Sequence, residues 1–138
     1  MLKKKSILFS VLCFLLFLSF SCREKSFEEY NENDFYKVQG VIVSAKMTNS
    51  IADSPFMKEI KYEYFINDSL LLENLEDFSF ADMEKGIPIE VLVHKENPNI
   101  SFYWRNGFSD NITPYQTQYV EEKLERVMYE IESNLDKR

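Results

Sequence analysis

The chain has 138 residues, 28% of them charged, with only 3 glycines, 4 prolines and a formal net charge of −7. One domain fits that length. A nucleotide-binding enzyme with a separate substrate domain, a (β/α)8 barrel and a multi-span transporter are all excluded.

Lys3, Lys4 and Lys5 make a cationic start with no acid near it, and residues 7–20 are apolar apart from Ser10 and Ser19. That stretch is shorter than the roughly 20 residues a spanning helix needs, and it has the layout of a secretory signal. It ends at Ser21-Cys22 and turns charged at once with Arg23-Glu24-Lys25. In these features the segment resembles a bacterial lipoprotein signal. The resemblance implies removal of residues 1–21, a diacylglycerol on the Cys22 thiol and acylation of the new amino group. Two or three acyl chains anchor stably where one is marginal. The expected location is the bacterial cell envelope, on the outer membrane if the cell has one.

Cleavage before Cys22 leaves 117 residues with 13 bases against 23 acids, a net charge of −10. Acid at this density repels nucleic-acid backbones and anionic bilayers. The expected partners are therefore a membrane, reached through the lipid on Cys22, and another envelope protein. Cys13 leaves with the signal, so the mature domain has no disulfide, thiol nucleophile or thiolate metal ligand. Residues 22–34 read as the lipidated cysteine and an acidic tether, with Phe27 and Tyr30 able to pack back on the domain. Residues 35–138 read as one α+β domain.

Within that domain, strands are expected between residues 35 and 105. Tyr36, Val38, Gly40 and Ile42 share one face of the first strand, and Val41 and Val43 lie on the other. Residues 48–55 form a polar loop. Residues 58–66 alternate with period two: Ile60, Tyr62, Tyr64 and Ile66 face in, while Lys61 and Glu63 face out. Asn67-Asp68 turns the chain into a returning strand at 70–75. Residues 76–85 are ambiguous between a strand end and a helical turn, and Gly86 breaks them. Ile87, Ile89, Val91 and Val93 alternate next, with Pro88 marking an edge or a strand start. A turn at 96–99 leads to a fifth strand carrying Ile100, Phe102 and Trp104.

Thr113-Pro114-Tyr115-Gln116 is a helix start, with Thr113 as cap, proline at the first helical position and Gln116 closing a capping box. Val120, Leu124, Val127, Ile131 and Leu135 then recur at helical spacing, widened by Tyr119 and Met128. Glu122 and Arg126 form a supporting i,i+4 pair. The helix is expected over 114–136, with about 22 residues and 33 Å of length. Such an amphipathic helix needs a cover, and the Ile60–Ile66 and Ile87–Val93 faces need one too. The expected fold is thus about five antiparallel strands in a small curled sheet or half-barrel, covered by the C-terminal helix.

Gly40 with its alternating Val and Ile, Tyr62-x-Tyr64 before a polar turn, and Gly86-x-x-x-x-Val91-x-Val93 running into Asn97-Pro98-Asn99-Ile100-Ser101 carry a second resemblance. Between residues 36 and 102 the chain resembles the small β-domain family of uncharacterised bacterial membrane-associated proteins labelled DUF3592. That resemblance implies a fold and no catalytic residues.

His94 is the only histidine, and no H-x-x-x-H, G-x-S-x-G or phosphate loop accompanies it. The pairs Glu76/Asp77, Asp82/Glu84 and Glu121/Glu122 lack the spaced oxygens and bend glycine of a calcium loop and read as a solvated acidic face. No catalytic, metal or cofactor site is expected. Alternation places Tyr103 and Arg105 together, opposite Phe102 and Trp104, and Phe65 opposite Tyr62 and Tyr64. Phe65, Tyr103 and Arg105 are accordingly the candidate interaction surface, of the aromatic-plus-Arg kind found at interfaces. The expected function is a membrane-anchored, non-enzymatic interaction or assembly module. Its alternatives are a small apolar-ligand or lipid carrier, requiring a cavity between helix and sheet, and a small hydrolase using paired carboxylates.

Overall fold

A computed structural model describes residues 25–68, 70–79 and 82–137. The signal segment, Cys22, Phe80 and Ala81 lie outside them. The chain divides into two compact units, Met1–Tyr30 and Asn31–Arg138. In the first, Phe27–Glu29 is a 3₁₀ turn in which the Ser26 hydroxyl donates to Glu28. The second begins with another 3₁₀ turn, Glu32–Asp34, capped by the Asn31 side chain. Residues 33 and 34, read from sequence as the end of the tether, hold the turn that begins at Lys95: Lys95 donates its backbone N–H to Asp34 O and its Nζ to Asn33 O.

Five strands follow: β1 (Phe35–Met47), β2 (Lys58–Asn67), β3 (Leu70–Phe78), β4 (Pro88–His94) and β5 (Ser101–Asn106), then helix α1 (Pro114–Leu135). All strand pairs are antiparallel, in the order β3-β2-β1-β4-β5. Cross-strand partners share a face, which sorts the side chains into two sets. The core face holds Ile42, Ile60, Tyr62, Tyr64, Ile89, Val91 and Val93, all buried, with Met83 from the β3–β4 connection seated on them. The opposite face carries Val41, Gln39, Glu63, Phe65 and Glu90.

Gly40 lies at the centre of β1, where a Cβ would come within 2.8 Å of both Glu63 O and Val91 Cγ2. The two neighbouring strands close over it, and only glycine fits. Pro88 opens β4, which runs between β1 and β5; of the two readings of that proline, strand start is the observed one.

The sheet corrects the expected curled sheet or half-barrel. Its backbone pairing stops at β3 on one side and at β5 on the other, so it is open. Side chains bridge the two edges instead of a ladder. Asn74 Nδ2 donates to Ser101 O at 2.8 Å, and Tyr103 N donates to Glu76 Oε1 at 2.9 Å. Alternation in a sequence records burial of a face, and it is blind to whether the edges meet by backbone or by side chain.

The helix is the second correction. The sequence pattern points to a cover over the Ile60–Tyr64 face, but the helix sits on the other one. Phe65 takes the Tyr115 and Tyr119 rings edge-on at 6.3 and 5.3 Å between centroids. Glu63, expected to face solvent, accepts from the Tyr119 hydroxyl and pairs with Lys123 at 3.2 Å. The core face has no room for a helix because Tyr62, Tyr64 and Met83 already fill it. The Thr113–Gln116 capping box forms, and the Thr113 hydroxyl also donates to Asp68 in the β2–β3 turn at 2.6 Å. Glu122 accepts from Gln118 in place of the expected Arg126 pair.

Candidate functional site

Only Gln116 and Val120 of α1 are buried. Contacts at Thr113, Tyr115, Tyr119 and Lys123 pin its first half, and Lys85 pairs with Glu130 at 2.8 Å further along. Gly86, with φ +88°, lies beneath: a Cβ there would meet Val127 Cγ2 at 3.1 Å. The row Gln116, Val120, Lys123 and Val127 thus faces the sheet. A second row, Leu124, Met128, Ile131 and Leu135, faces solvent, with exposures of 41%, 52%, 50% and 64%. The helix is held in place yet leaves an apolar ridge of about 16 Å uncovered. Sequence reading merged the two rows into one buried stripe because they lie less than a quarter-turn apart. The residue that hides the division is Lys123, a polar member of the sheet-facing row whose partner Glu63 is visible only in three dimensions.

Among the sequence-predicted residues, Cys22 lies outside the described residues. Phe65 is buried beneath α1 and forms no surface. Tyr103 and Arg105 do not share a face. A β-bulge in β5 pairs Tyr103 with Val91 and Arg105 with Glu90, leaving Trp104 as the extra residue, and a bulge breaks alternation at that point. Tyr103 packs edge-on against Phe78 on the core face. Arg105 is on the helix face, donating Nε to Glu90 at 2.8 Å.

Among the described residues, two carboxyls are perturbed. Burial would raise Glu90, but hydrogen bonds from Arg105 and Ser109, with the Arg105 and Lys37 charges, carry it below its ordinary value. It fastens the segment leading to α1, since Ser109 Oγ donates to it at 3.1 Å and Ser109 N donates to Gln39 at 2.7 Å. Glu76 is raised, chiefly by burial, against the lowering effect of bonds from the Tyr62 hydroxyl and Tyr103 N. The Tyr62 phenol is raised as well, by burial and then by the Glu76 charge. Glu76 and Glu90 face opposite sides of the sheet, since Glu76 pairs with core residue Ile60 and Glu90 with Gln39. They cannot act as one acid–base pair on a substrate. Glu76, Asn74, Tyr62 and Ser101 join the sheet edges.

His94 is absorbed by the β4–β5 turn, its Nδ1 accepting from the backbone N–H groups of Glu96 and Asn97 at 3.2 and 3.3 Å. No cluster of three or more metal-ligating side chains occurs among the described residues. A cleft of about 180 Å³ lies between α1 and the sheet, lined by Ile42, Val43 and Gly86 on one side and Lys123, Arg126 and Val127 of α1 on the other. Ligand sites run from roughly 300 Å³ upward, so this cleft is small for the carrier alternative. Comparison of the chain with protein-family models, curated proteins and solved structures finds no match. The resemblance to DUF3592 therefore adds nothing to the functional argument.

Proposed function

We propose that this chain is a lipid-anchored, non-enzymatic interaction module of the bacterial cell envelope, which docks a partner protein on the outer ridge of α1. The carrying observation is the exposed row Leu124, Met128, Ile131 and Leu135 on a helix already fixed to its sheet. Apolar residues in a continuous row on a held element mark interaction sites more often than scattered ones do. The ridge needs no rearrangement to bind, because Thr113, Tyr119, Lys123 and Glu130 set its position beforehand. The anchor at Cys22 rests on the lipoprotein-like signal and supplies membrane attachment.

The test is in-cell photocrosslinking from position 128 of the full chain, with and without Ile131→Lys. The expected result is one or a few discrete adducts that disappear in the I131K chain while its melting temperature stays within a few degrees of the wild type. Adducts that persist in I131K would refute docking on this ridge.

A further inference from the structure

Resting on that reading of the ridge, we infer that the partner is a helix whose own apolar seam is bordered by Lys or Arg. The spacing of Leu124, Met128, Ile131 and Leu135 is four, three, four, the a/d alternation with which one helix receives another. The row is narrow. A surface-lying membrane helix presents a broader apolar face with cations around it, and here the border is acidic.

Glu125 follows Leu124 and Glu132 follows Ile131, so both glutamates occupy the same flanking position two turns apart. Glu121 sits one turn earlier on the same side. At 100° per residue all three lie on the side of the ridge away from the sheet-facing row. The helix's bases point elsewhere. Lys123 is paired with Glu63, and Arg126 lines the cleft by Gly86. An exposed border of one sign is left along the apolar row, the arrangement by which flanking charges select a helical partner.

A second copy fits poorly. Antiparallel pairing of two such ridges sets Glu125 against Glu132 of the other copy, and parallel pairing turns the flank towards Val127 and Asn134, on the sheet side. A cationic flank satisfies the border in either direction.

The experiment uses the full chain and two synthetic amphipathic peptides with identical apolar seams, one flanked by Lys and one by Glu, with binding followed by fluorescence anisotropy. The Lys-flanked peptide is expected to bind about tenfold more tightly at low salt, with the gap closing as salt rises. Glu125→Lys with Glu132→Lys should reverse the preference, and I131K should remove binding of both peptides. Equal binding of the two peptides, or a preference unchanged by the charge reversal, would overturn the inference. So would an I131K-sensitive dimer of the full chain in sedimentation, or I131K-sensitive binding to anionic vesicles. Crosslinks from position 128 separate the two levels. If they are lost in I131K but unchanged in E125K/E132K, the partner chemistry fails and the docking ridge stands. If they ignore I131K, both fail.

Discussion

Glu76 and Glu90 show how one sheet can hold two carboxyls with opposite pH behaviour. The folded state raises Glu76 and therefore favours its neutral form. Its contribution to stability is complete below the ordinary carboxylate value and is lost as pH climbs through the raised one. Glu76→Gln keeps an acceptor for the Tyr62 hydroxyl and Tyr103 N and carries no charge. The E76Q chain is expected to melt higher than wild type at neutral pH, with the difference closing in acid. Glu76→Ala instead strands both donors, at about 1–3 kcal/mol. Glu90 is lowered, so its stabilisation exists above the ordinary value and is lost as pH falls through the lowered one; E90Q should melt below wild type at neutral pH and converge with it in acid. Melting curves between acid and neutral pH check both signs. Gly40→Ala is a purely steric counterpart. Its Cβ meets backbone at Glu63 O, which cannot swing aside, and overpacking of this kind costs about 1–3 kcal/mol.

At the scale of elements, α1 is two half-helices energetically. Val120 is fully buried and Leu124, one turn on, is not. Val120→Ala is expected to cost about 2 kcal/mol from lost burial and the cavity left behind. Leu124→Ala should stay near or below 1 kcal/mol, as surface changes do; denaturant titrations of the two variants measure the contrast. The helix itself was legible from the sequence, down to Thr113 and Gln116, because caps and periodicity are local signals. So was the β2–β3 hairpin around Asn67-Asp68. What stayed hidden is non-local. The periodicity of α1 could not show which face of the sheet received it, since both faces are apolar near Val41 and Ile42. The bulge at Trp104 leaves no mark in a run of large residues, and it separates Tyr103 from Arg105. Asn74 and Glu76 read as ordinary polar positions, and their role appears only when β5 lies across from them.

For the molecule as a whole, the proposed attachment and the proposed docking rest on different stretches of the chain. The folded unit that carries the ridge begins at Asn31, and the contacts described above that fix α1, from Phe65 and Glu63 to Lys85, lie inside it. Residues 31–138 include no cysteine. No disulfide can form within it, so its melt should be indifferent to reductant. Cys22→Ser should therefore leave the chain's thermal transition unchanged while blocking acylation and cleavage. Intact-mass measurement should find the wild type shortened before Cys22 and heavier by its acyl groups, with C22S retaining residues 1–21. Fractionation adds the functional half: C22S is expected to keep binding the Lys-flanked peptide with wild-type affinity. Its crosslinks from position 128 should nevertheless fall, because an unprocessed chain is not delivered to where the partner is met. A wild-type mass with a free thiol would end the anchoring proposal and leave the ridge intact. A C22S chain that melts lower, or loses the peptide, would show that attachment and docking are coupled.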